Sequence, residues 1–499
     1  MHKNFNTTSI MIDKILYYKK KQKTFLICII IFTSILTSCE DSDETYSFKS
    51  LEYESLTDRD STFINFRALY SNNHTLSWEE AVIYAEEAAK LCFNNKANVR
   101  SYQKQRRVIG GKTLIKKGGS LKSSFNSQIL PDTLAYVCNF ADSMGYAIIC
   151  ADDRVGCPLL ACVDNGILTD TIDNPGLSIF LEKVQDFIEI SISNFEEKKD
   201  SLKSVAKEML QVNFQKDKKS LKMTYKGSFT LKKTTEVKPL LTTTWGQSSD
   251  PYNTFTMVCP SQASFHAPAG CWATAIAQIM AYYKYPTSIN YSTNQRNTRS
   301  PYTLNWNGIL SSKNASNLTN NTFKTQVSHL LYGIGVNINM NYECDQSGAN
   351  DQTALAYMKR IGFSGCNTKD YSFTSVKEQL DCMRPVIMGG YTDQTNRFLG
   401  IKYSYSGGHT WIVDGYSTTI IQDYYYIVDP DEDKILYCHA INTTYNNPLL
   451  HINWGWTGSG DGYFAAGCFD NWNAYSYDSS IPKNHYNFKY KNEIHIVWR

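Results

Sequence analysis

The clearest pattern of apolar and polar positions lies between Cys271 and Tyr283. Apolar side chains recur there at positions i, i+3, i+4 and i+7, namely Ile276, Ile279, Met280 and Tyr283. No Gly or Pro interrupts the run after Cys271, and Pro286 follows it. This spacing predicts an amphipathic helix that begins at Cys271 and ends before Pro286.

The first half of the chain alternates between helical and strand-like patterns. Ser77 and Glu80 form a capping-box pattern, which predicts a helix over 81–93. Apolar runs separated by turn residues predict strands over 134–140, 146–151 and 158–163. Two further helices are expected, over 177–192 and over the charged stretch 196–219.

The N-terminal residues have the pattern of an export signal. A lysine-rich stretch precedes the apolar run Phe25–Leu36, which is too short to span a bilayer because a spanning helix needs roughly 20 residues. Leu36-Thr37-Ser38-Cys39 resembles a bacterial lipobox, which implies a signal peptide over 1–38 and lipid attachment to Cys39. An ordinary secretory signal with a chance cysteine is the alternative.

An acidic, polar tether is expected over 39–59, and its acidic start resembles the surface-export signals of some bacterial lipoproteins. These features predict a location in the cell envelope, at the outer membrane or cell surface, with release on maturation as a further option. Lys, Thr, Ser and Gly without helical period predict a protease-sensitive linker over 226–239. The linker would separate a first domain, 60–225, from a second, 240–499.

The composition of the chain narrows the range of possible functions. The net charge of the 499-residue chain is only +3, which gives no sign of a nucleic-acid partner. The 14 cysteines include no CxxC pair and show no metal-ligand spacing with His. We therefore expect mostly buried thiols, no metal and no cofactor.

Cys271 is the candidate nucleophile. A thiol at a helix N-terminus experiences the positive end of the helix dipole, which favours the reactive thiolate. A buried structural thiol is the alternative for any cysteine considered alone. Covalent catalysis therefore requires a base elsewhere in the chain.

His409 is the candidate base. Two glycines precede it and an apolar, strand-like run follows it, so a loop can approach closely before a strand begins. Further along, Asn453 could accept the imidazole N–H and Trp454 could shield that hydrogen bond from water. Papain-type enzymes place both residues roughly 130–150 positions after the cysteine, a range that fits His409 but not Asn453.

Gln247 is the candidate oxyanion donor together with the Cys271 backbone N–H, since acyl transfer needs donors for the developing negative charge. At this point the motifs resemble the streptopain family of cysteine peptidases. They are Trp245-Gly246-Gln247, Gly270-Cys271-Trp272-Ala273, Gly408-His409 and Asn453-Trp454-Gly455-Trp456. The stretch from Gly145 to Arg154 is similar to that family's propeptide.

The resemblance implies an α+β fold, with a papain-like peptidase domain preceded by an α+β propeptide domain. It further implies a zymogen whose own propeptide inhibits it, and endopeptidase activity on protein or peptide substrates through a Cys271–His409 dyad and a thioester. The membrane would be a partner through the lipid anchor, and nucleic acid would not. Two other functions stay open: a transglutaminase-like acyltransferase, and a surface lipoprotein that binds protein through a degenerate peptidase domain.

Overall fold

The structure is a computed structural model. It describes residues 66–93, 108–115, 131–156, 158–169, 171–213, 222–260, 265–292, 301–392, 397–398, 401–403, 407–429, 434–443, 448–470 and 492–499. Ser61–Arg499 form one compact unit. The predicted domain boundaries within this unit stay predictions.

The described part of the chain contains both helices and strands, so the α+β prediction is confirmed. The helices are α1 (Phe66–Tyr70), α2 (Trp78–Phe93), α3 (Pro175–Asn213), α4 (Cys271–Tyr283), α5 (Trp306–Ile309), α6 (Asn321–Asn337), α7 (Asp351–Arg360) and α8 (Phe373–Asp381). The strands before α4 are β1 (Val108–Ile115), β2 (Thr133–Phe140), β3 (Tyr146–Cys150), β4 (Leu159–Val163), β5 (Thr171–Ile172) and β6 (Lys222–Val237). The later strands are β7 (Ser288–Ile289), β8 (Tyr302–Thr303), β9 (Asn341–Tyr342), β10 (Ser347–Gly348), β11 (Ser364–Asp370), β12 (Val386–Thr392), β13 (Arg397–Phe398), β14 (Ile401–Tyr403), β15 (Gly407–Asp429), β16 (Lys434–Thr443), β17 (Leu449–Asn453), β18 (Gly462–Ala465) and β19 (Glu493–Trp498).

Most helices and strands that are predicted in the first half of the chain are present, with small shifts at their ends. The capping box before α2 is formed, because the Ser77 N–H donates to the Glu80 carboxylate at 2.9 Å and the Glu80 N–H donates to Ser77 Oγ at 3.2 Å. The predicted break between two helices at residues 193–195 is wrong, since α3 runs through it without interruption. Neither Gly nor Pro stands there, so nothing in the sequence ends the helix.

One large sheet runs through most of this unit, with strand order β1-β2-β3-β4-β18-β17-β15-β12-β19-β11. Strands β2, β3 and β4 come from the predicted propeptide and join the later strands through antiparallel pairing of β4 with β18. Most of the predicted linker lies in β6, which pairs with β15. Its threonine-rich sequence explains the strand, because β-branched residues favour extended backbone.

Two hydrophobic cores flank this sheet. The first combines residues of the predicted propeptide, such as Phe180, with residues of the predicted catalytic domain, such as Phe464 and Phe469. The Phe180 and Phe464 rings meet edge to face with centroids 4.9 Å apart. The second core is formed around α4, α6 and α7. Residues of α4 and of the sheet, such as Ile276 and Ile412, pack together in this second core.

Five of the eight free cysteines that the structure describes are buried thiols. There is also one disulfide, which the sequence did not indicate. A disulfide joins Cys259 to Cys344 and closes a separation of 85 residues. No helix in the described ranges is long and apolar enough to cross a membrane.

Candidate active site

The backbone that enters α4 explains why a glycine stands before the candidate nucleophile. Gly270 has φ 95° and ψ 143°, a conformation that disfavours any other residue. A Cβ at this position would lie 2.6 Å from the Cε atom of Met340, so a side chain has no room. Gly270 thereby sets the direction in which α4 begins and presents Cys271 at the cleft.

The Cys271 thiol lies at the start of α4 and is partly exposed as a residue. Burial of the sulfur raises its pKa above the ordinary value. Hydrogen bonds from the backbone and hydroxyl of Thr410 oppose this rise, as do backbone N–H groups of Cys271 and Trp272 at the helix N-terminus. Burial has the larger effect, so the thiol is protonated at neutral pH in this structure.

His409 stands near the start of β15 and pairs with Gly390 of β12. Its Nε2 lies 2.9 Å from the carbonyl oxygen of Trp454. A carbonyl can only accept a hydrogen bond, so the neutral ring carries its proton on Nε2 and leaves Nδ1 free to act as a base. Burial lowers the pKa of His409 to about 4, which keeps the imidazole neutral at pH 7.

The expected hydrogen bond between Asn453 and His409 is absent from the described contacts. Asn453 Oδ1 instead accepts from Gln278 Nε2 at 3.0 Å and from the Gly455 N–H at 3.1 Å, while its Nδ2 donates to the Thr243 carbonyl at 2.8 Å. These partners occupy both the oxygen and the nitrogen of the Asn453 amide. The expectation is therefore corrected: the Trp454 carbonyl, not the Asn453 side chain, contacts the imidazole.

Gln278 is a residue of this site that the sequence reasoning missed. It lies on α4, is almost fully buried, and its Oε1 accepts from the Thr243 hydroxyl at 2.9 Å and from the Trp245 N–H at 3.1 Å. In the sequence, Gln278 is a polar residue within an apolar helical run, two turns after Cys271. A buried amide needs partners, so this position predicts a hydrogen-bond network.

The Trp454 ring packs at the start of α3 instead of over an Asn453–His409 hydrogen bond. A Cβ added to Gly176 would lie 2.1 Å from Trp454 Cε3 and 3.0 Å from His409 Cδ2. The backbone of the predicted propeptide therefore lies directly against both residues. Asn174 fixes this contact, because its Oδ1 accepts from the Gly176 N–H at 3.0 Å and its Nδ2 donates to the Ser459 carbonyl at 3.0 Å.

Gln247 is buried, and its backbone carbonyl accepts a hydrogen bond from the Ala269 N–H at 2.7 Å. This bond joins its segment to the residues that lead into Cys271. Gln247 is not among the residues that line the pocket described next. Cys39 lies outside the described residues.

Cys271 and His409 line one pocket of about 300 Å³. Thr410, Glu493 and His495 line it as well. Alternation in β19 places residues 493 and 495 on one face of the strand. Among the described residues, no three His, Cys, Asp or Glu side chains are grouped so that they could hold a metal ion.

Comparison with known proteins gives a consistent picture for the second half of the chain. Residues 245–464 match the model of the peptidase C10 family. Streptopain of Streptococcus pyogenes serotype M28 is 27% identical over 278 residues, which is 50% of this chain and 60% of streptopain. Streptopain of serotype M1 matches with the same identity and coverage. The chain therefore spans less than two thirds of the length of these curated relatives.

Two solved structures from Prevotella intermedia also align with the chain. A prointerpain A fragment has a TM-score of 0.43 at 20% identity, covering 77% of this chain and 98% of the fragment. Active interpain A, a cysteine protease, has a TM-score of 0.32 at 22% identity, covering 52% of this chain and 94% of its own. The family similarity comes from the sequence matches and not from these structural alignments. Residues 245–464, which contain Cys271 and His409, are therefore similar to the peptidase C10 family and to streptopain.

Proposed function

We propose that this protein is an endopeptidase made as a zymogen, with Cys271 as nucleophile and His409 as base. The observation that carries the proposal is that both residues line one cleft, Cys271 at a helix N-terminus and His409 with its Nδ1 unprotonated. Similarity to streptopain agrees with it.

The reaction begins when His409 Nδ1 takes the proton of the Cys271 thiol. The thiolate then attacks the carbonyl carbon of a peptide bond, and the Cys271 N–H with the Gln247 side chain stabilises the oxyanion. His409 returns the proton to the leaving amine as the C–N bond breaks. Water hydrolyses the resulting thioester and regenerates the thiol.

The precursor is latent because its thiol and imidazole are both neutral. Burial raises the pKa of Cys271 and lowers the pKa of His409 to about 4, so a thiolate–imidazolium pair is disfavoured. The backbone of Gly176 covers His409 and contributes to its burial. Removal of the segment 60–225 would return water to the ring, raise the pKa of His409 and favour the ion pair.

Two variants test the assignment of the catalytic pair. Cys271→Ala should accumulate as the full-length precursor when purified away from other proteases, and normal processing of this variant would contradict self-activation. His409→Ala should have no measurable hydrolysis of a quenched fluorescent peptide. N-terminal sequencing of the wild-type product would locate the cut, which we expect within 226–239.

The lipid anchor requires a separate test, since it rests on the sequence Leu36-Thr37-Ser38-Cys39 alone. Cells that express the wild-type chain should incorporate labelled palmitate into it, and Cys39→Ser should incorporate none. Equal labelling of the two chains would contradict lipid attachment to Cys39.

A further inference from the structure

One wall of the pocket beside Cys271 is a short hairpin, residues 341–349, which we call the hairpin wall. Strands β9 and β10 form it and pair antiparallel, with Tyr342 opposite Ser347. Six of the residues that line the pocket lie in this hairpin, namely Asn341, Glu343, Gln346, Ser347, Gly348 and Ala349. A peptide that binds in the pocket therefore contacts the hairpin wall.

The hairpin wall also contacts the residue that precedes the nucleophile. A Cβ at Gly270 would lie 3.2 Å from the carbonyl oxygen of Ser347, which is ordinary or closer than ordinary contact. Gly270 is joined directly to Cys271. A displacement of the hairpin wall therefore changes the space beside the reacting sulfur.

The hairpin wall has little structure of its own. Each of its strands is two residues long, and among the described strands β9 and β10 pair only with each other. An isolated two-stranded hairpin is marginally stable in water. Most of its residues are exposed, namely Asn341, Glu343, Asp345, Gln346 and Gly348. It buries little apolar surface, so a restraint from outside the hairpin has a large effect on its position.

The disulfide supplies such a restraint at the tip of the hairpin. Cys344 lies between β9 and β10 and is bonded to Cys259. Cys259 is only 1% exposed, and its N–H donates to the Phe265 carbonyl at 2.8 Å. Nearby, the Ala267 N–H donates to the Met257 carbonyl at 2.8 Å. The Cys259 end of the bond is thus fixed in a hydrogen-bonded ladder.

This ladder leads directly into the nucleophile. Asn253 is buried and its Nδ2 donates to the carbonyl of His266 at 3.0 Å. Further along, the Ala269 N–H donates to the Gln247 carbonyl at 2.7 Å, two residues before Cys271. The disulfide therefore fixes the hairpin wall to the same stretch of backbone that positions the nucleophile.

We propose that the Cys259–Cys344 disulfide positions the hairpin wall for substrate binding, and that its reduction weakens the binding of extended peptides without stopping the chemistry. The inference rests on the proposed peptidase function. Cys271 and His409 stand on α4 and β15, which the bond does not join, so the chemical step should continue. A released wall must be ordered by the peptide, and ordering one backbone residue lowers an affinity by about 5–30-fold.

Two redox requirements of opposite sign follow, because Cys271 acts as a thiol whereas the hairpin wall needs the disulfide. A low-molecular-weight thiol breaks the bond by attack of its thiolate on one sulfur, which gives a mixed disulfide. A second molecule of the small thiol then displaces the protein sulfur. The protein gains two S–H groups, and the two small thiols leave as their own disulfide. Cys344 is the more exposed of the two cysteines, which favours attack there.

Kinetics of the processed protein test the positioning role. Cys259→Ser/Cys344→Ser removes the bond without creating a free thiol, and should raise KM for a quenched octapeptide by about tenfold while kcat changes by less than about threefold. Cys366→Ser/Cys382→Ser alters two free thiols outside the pocket and should change neither constant. A bond that only stabilises the fold would instead lower kcat at unchanged KM, and this result would overturn the proposal.

A titration of the wild-type protein with 2-mercaptoethanol tests the redox requirement. At peptide concentrations far below KM, cleavage should first rise as Cys271 is kept reduced, and then fall by about tenfold as the disulfide is reduced. The fall should be absent at saturating peptide and absent in Cys259→Ser/Cys344→Ser. A fall of the same size under either of these conditions would contradict a role in substrate binding.

Hydrogen exchange tests the hairpin wall without turnover, in the full-length chain with Cys271→Ala. Adding Cys259→Ser/Cys344→Ser should speed exchange over 341–349 by at least about tenfold within minutes, while α4 stays protected. Unchanged exchange over 341–349, or lost protection in α4, would refute the positioning role. If the wall exchanges faster but the wild-type chain cleaves no peptide, the peptidase function fails and the restraint on the wall stands.

Discussion

Gly176 lies in close contact with His409 and Trp454. We therefore predict that one added methyl group at this position weakens the packing of the predicted propeptide against the rest of the chain. In Gly176→Ala the new Cβ would lie 2.1 Å from Trp454 Cε3 and 3.0 Å from His409 Cδ2, far inside normal contact distance. Trp454 is fully buried, so the indole has no free space into which it can move. The start of α3 must therefore shift away from the cleft.

The size of the effect follows from two opposing contributions. Overpacking of a buried site costs about 1–3 kcal/mol, while replacing Gly by Ala in a helix returns at most about 1 kcal/mol. A net loss of about 1–2 kcal/mol corresponds to about a 5–30-fold larger population in which the segment is detached. We therefore expect self-processing of Gly176→Ala to be faster than that of the wild-type chain by about this factor.

Two measurements check this prediction. Denaturant unfolding in a Cys271→Ala background, which prevents self-cleavage, should show the loss of stability, and the processing rate is measured with Cys271 intact. Gly110→Ala is the matched control, because a Cβ at that position of β1 meets no atom within 4 Å. If Gly176→Ala unfolds and is processed like the wild-type chain, the close contact that we describe does not hold the precursor latent.

Three further predictions concern stability. Burial raises the pKa of Asp461 to about 7, so the folded chain binds this proton more strongly than the unfolded chain. The resulting stabilisation is complete near pH 4 and is lost as the pH rises to 7. Asp461→Asn should remove this pH dependence from the measured free energies of unfolding. Cys259→Ser should cost about 2–5 kcal/mol in denaturant unfolding because it opens a link across 85 residues, whereas Cys382→Ser, an exposed free thiol, should change little. Gln278→Leu should cost about 1–3 kcal/mol in the same assay because it removes the acceptor of the Trp245 N–H and one donor to Asn453 Oδ1. A variant as stable as the wild type would contradict this network.

Local patterns were sufficient to predict much of the fold. The helix from Cys271 to Tyr283 was defined by its apolar period and by the flanking Gly270 and Pro286. The strand that begins near His409 was indicated by two glycines followed by apolar residues. Such features depend only on neighbours in the chain, so a single sequence contains them.

The contacts that decide the chemistry were not predictable in this way. Asn453 was assigned to His409 by its motif, yet its amide is occupied by Gln278, a residue on a distant helix. The contact of Gly176 with His409 likewise joins segments that no periodicity relates. Pairings between distant segments depend on how elements pack, and the period of each element does not determine that packing.

The pairing of β4 with β18 has a consequence for the fate of the predicted propeptide after the chain is cut. Cleavage within β6 would break one covalent bond but leave the shared sheet and the Phe180–Phe464 contact in place. The two fragments would then behave as a tight bimolecular complex, whose dissociation depends on dilution or on digestion of the released piece. Once free, β18 would present unpaired backbone N–H and C=O groups at a sheet edge beside an uncovered apolar face, which is a site for self-association.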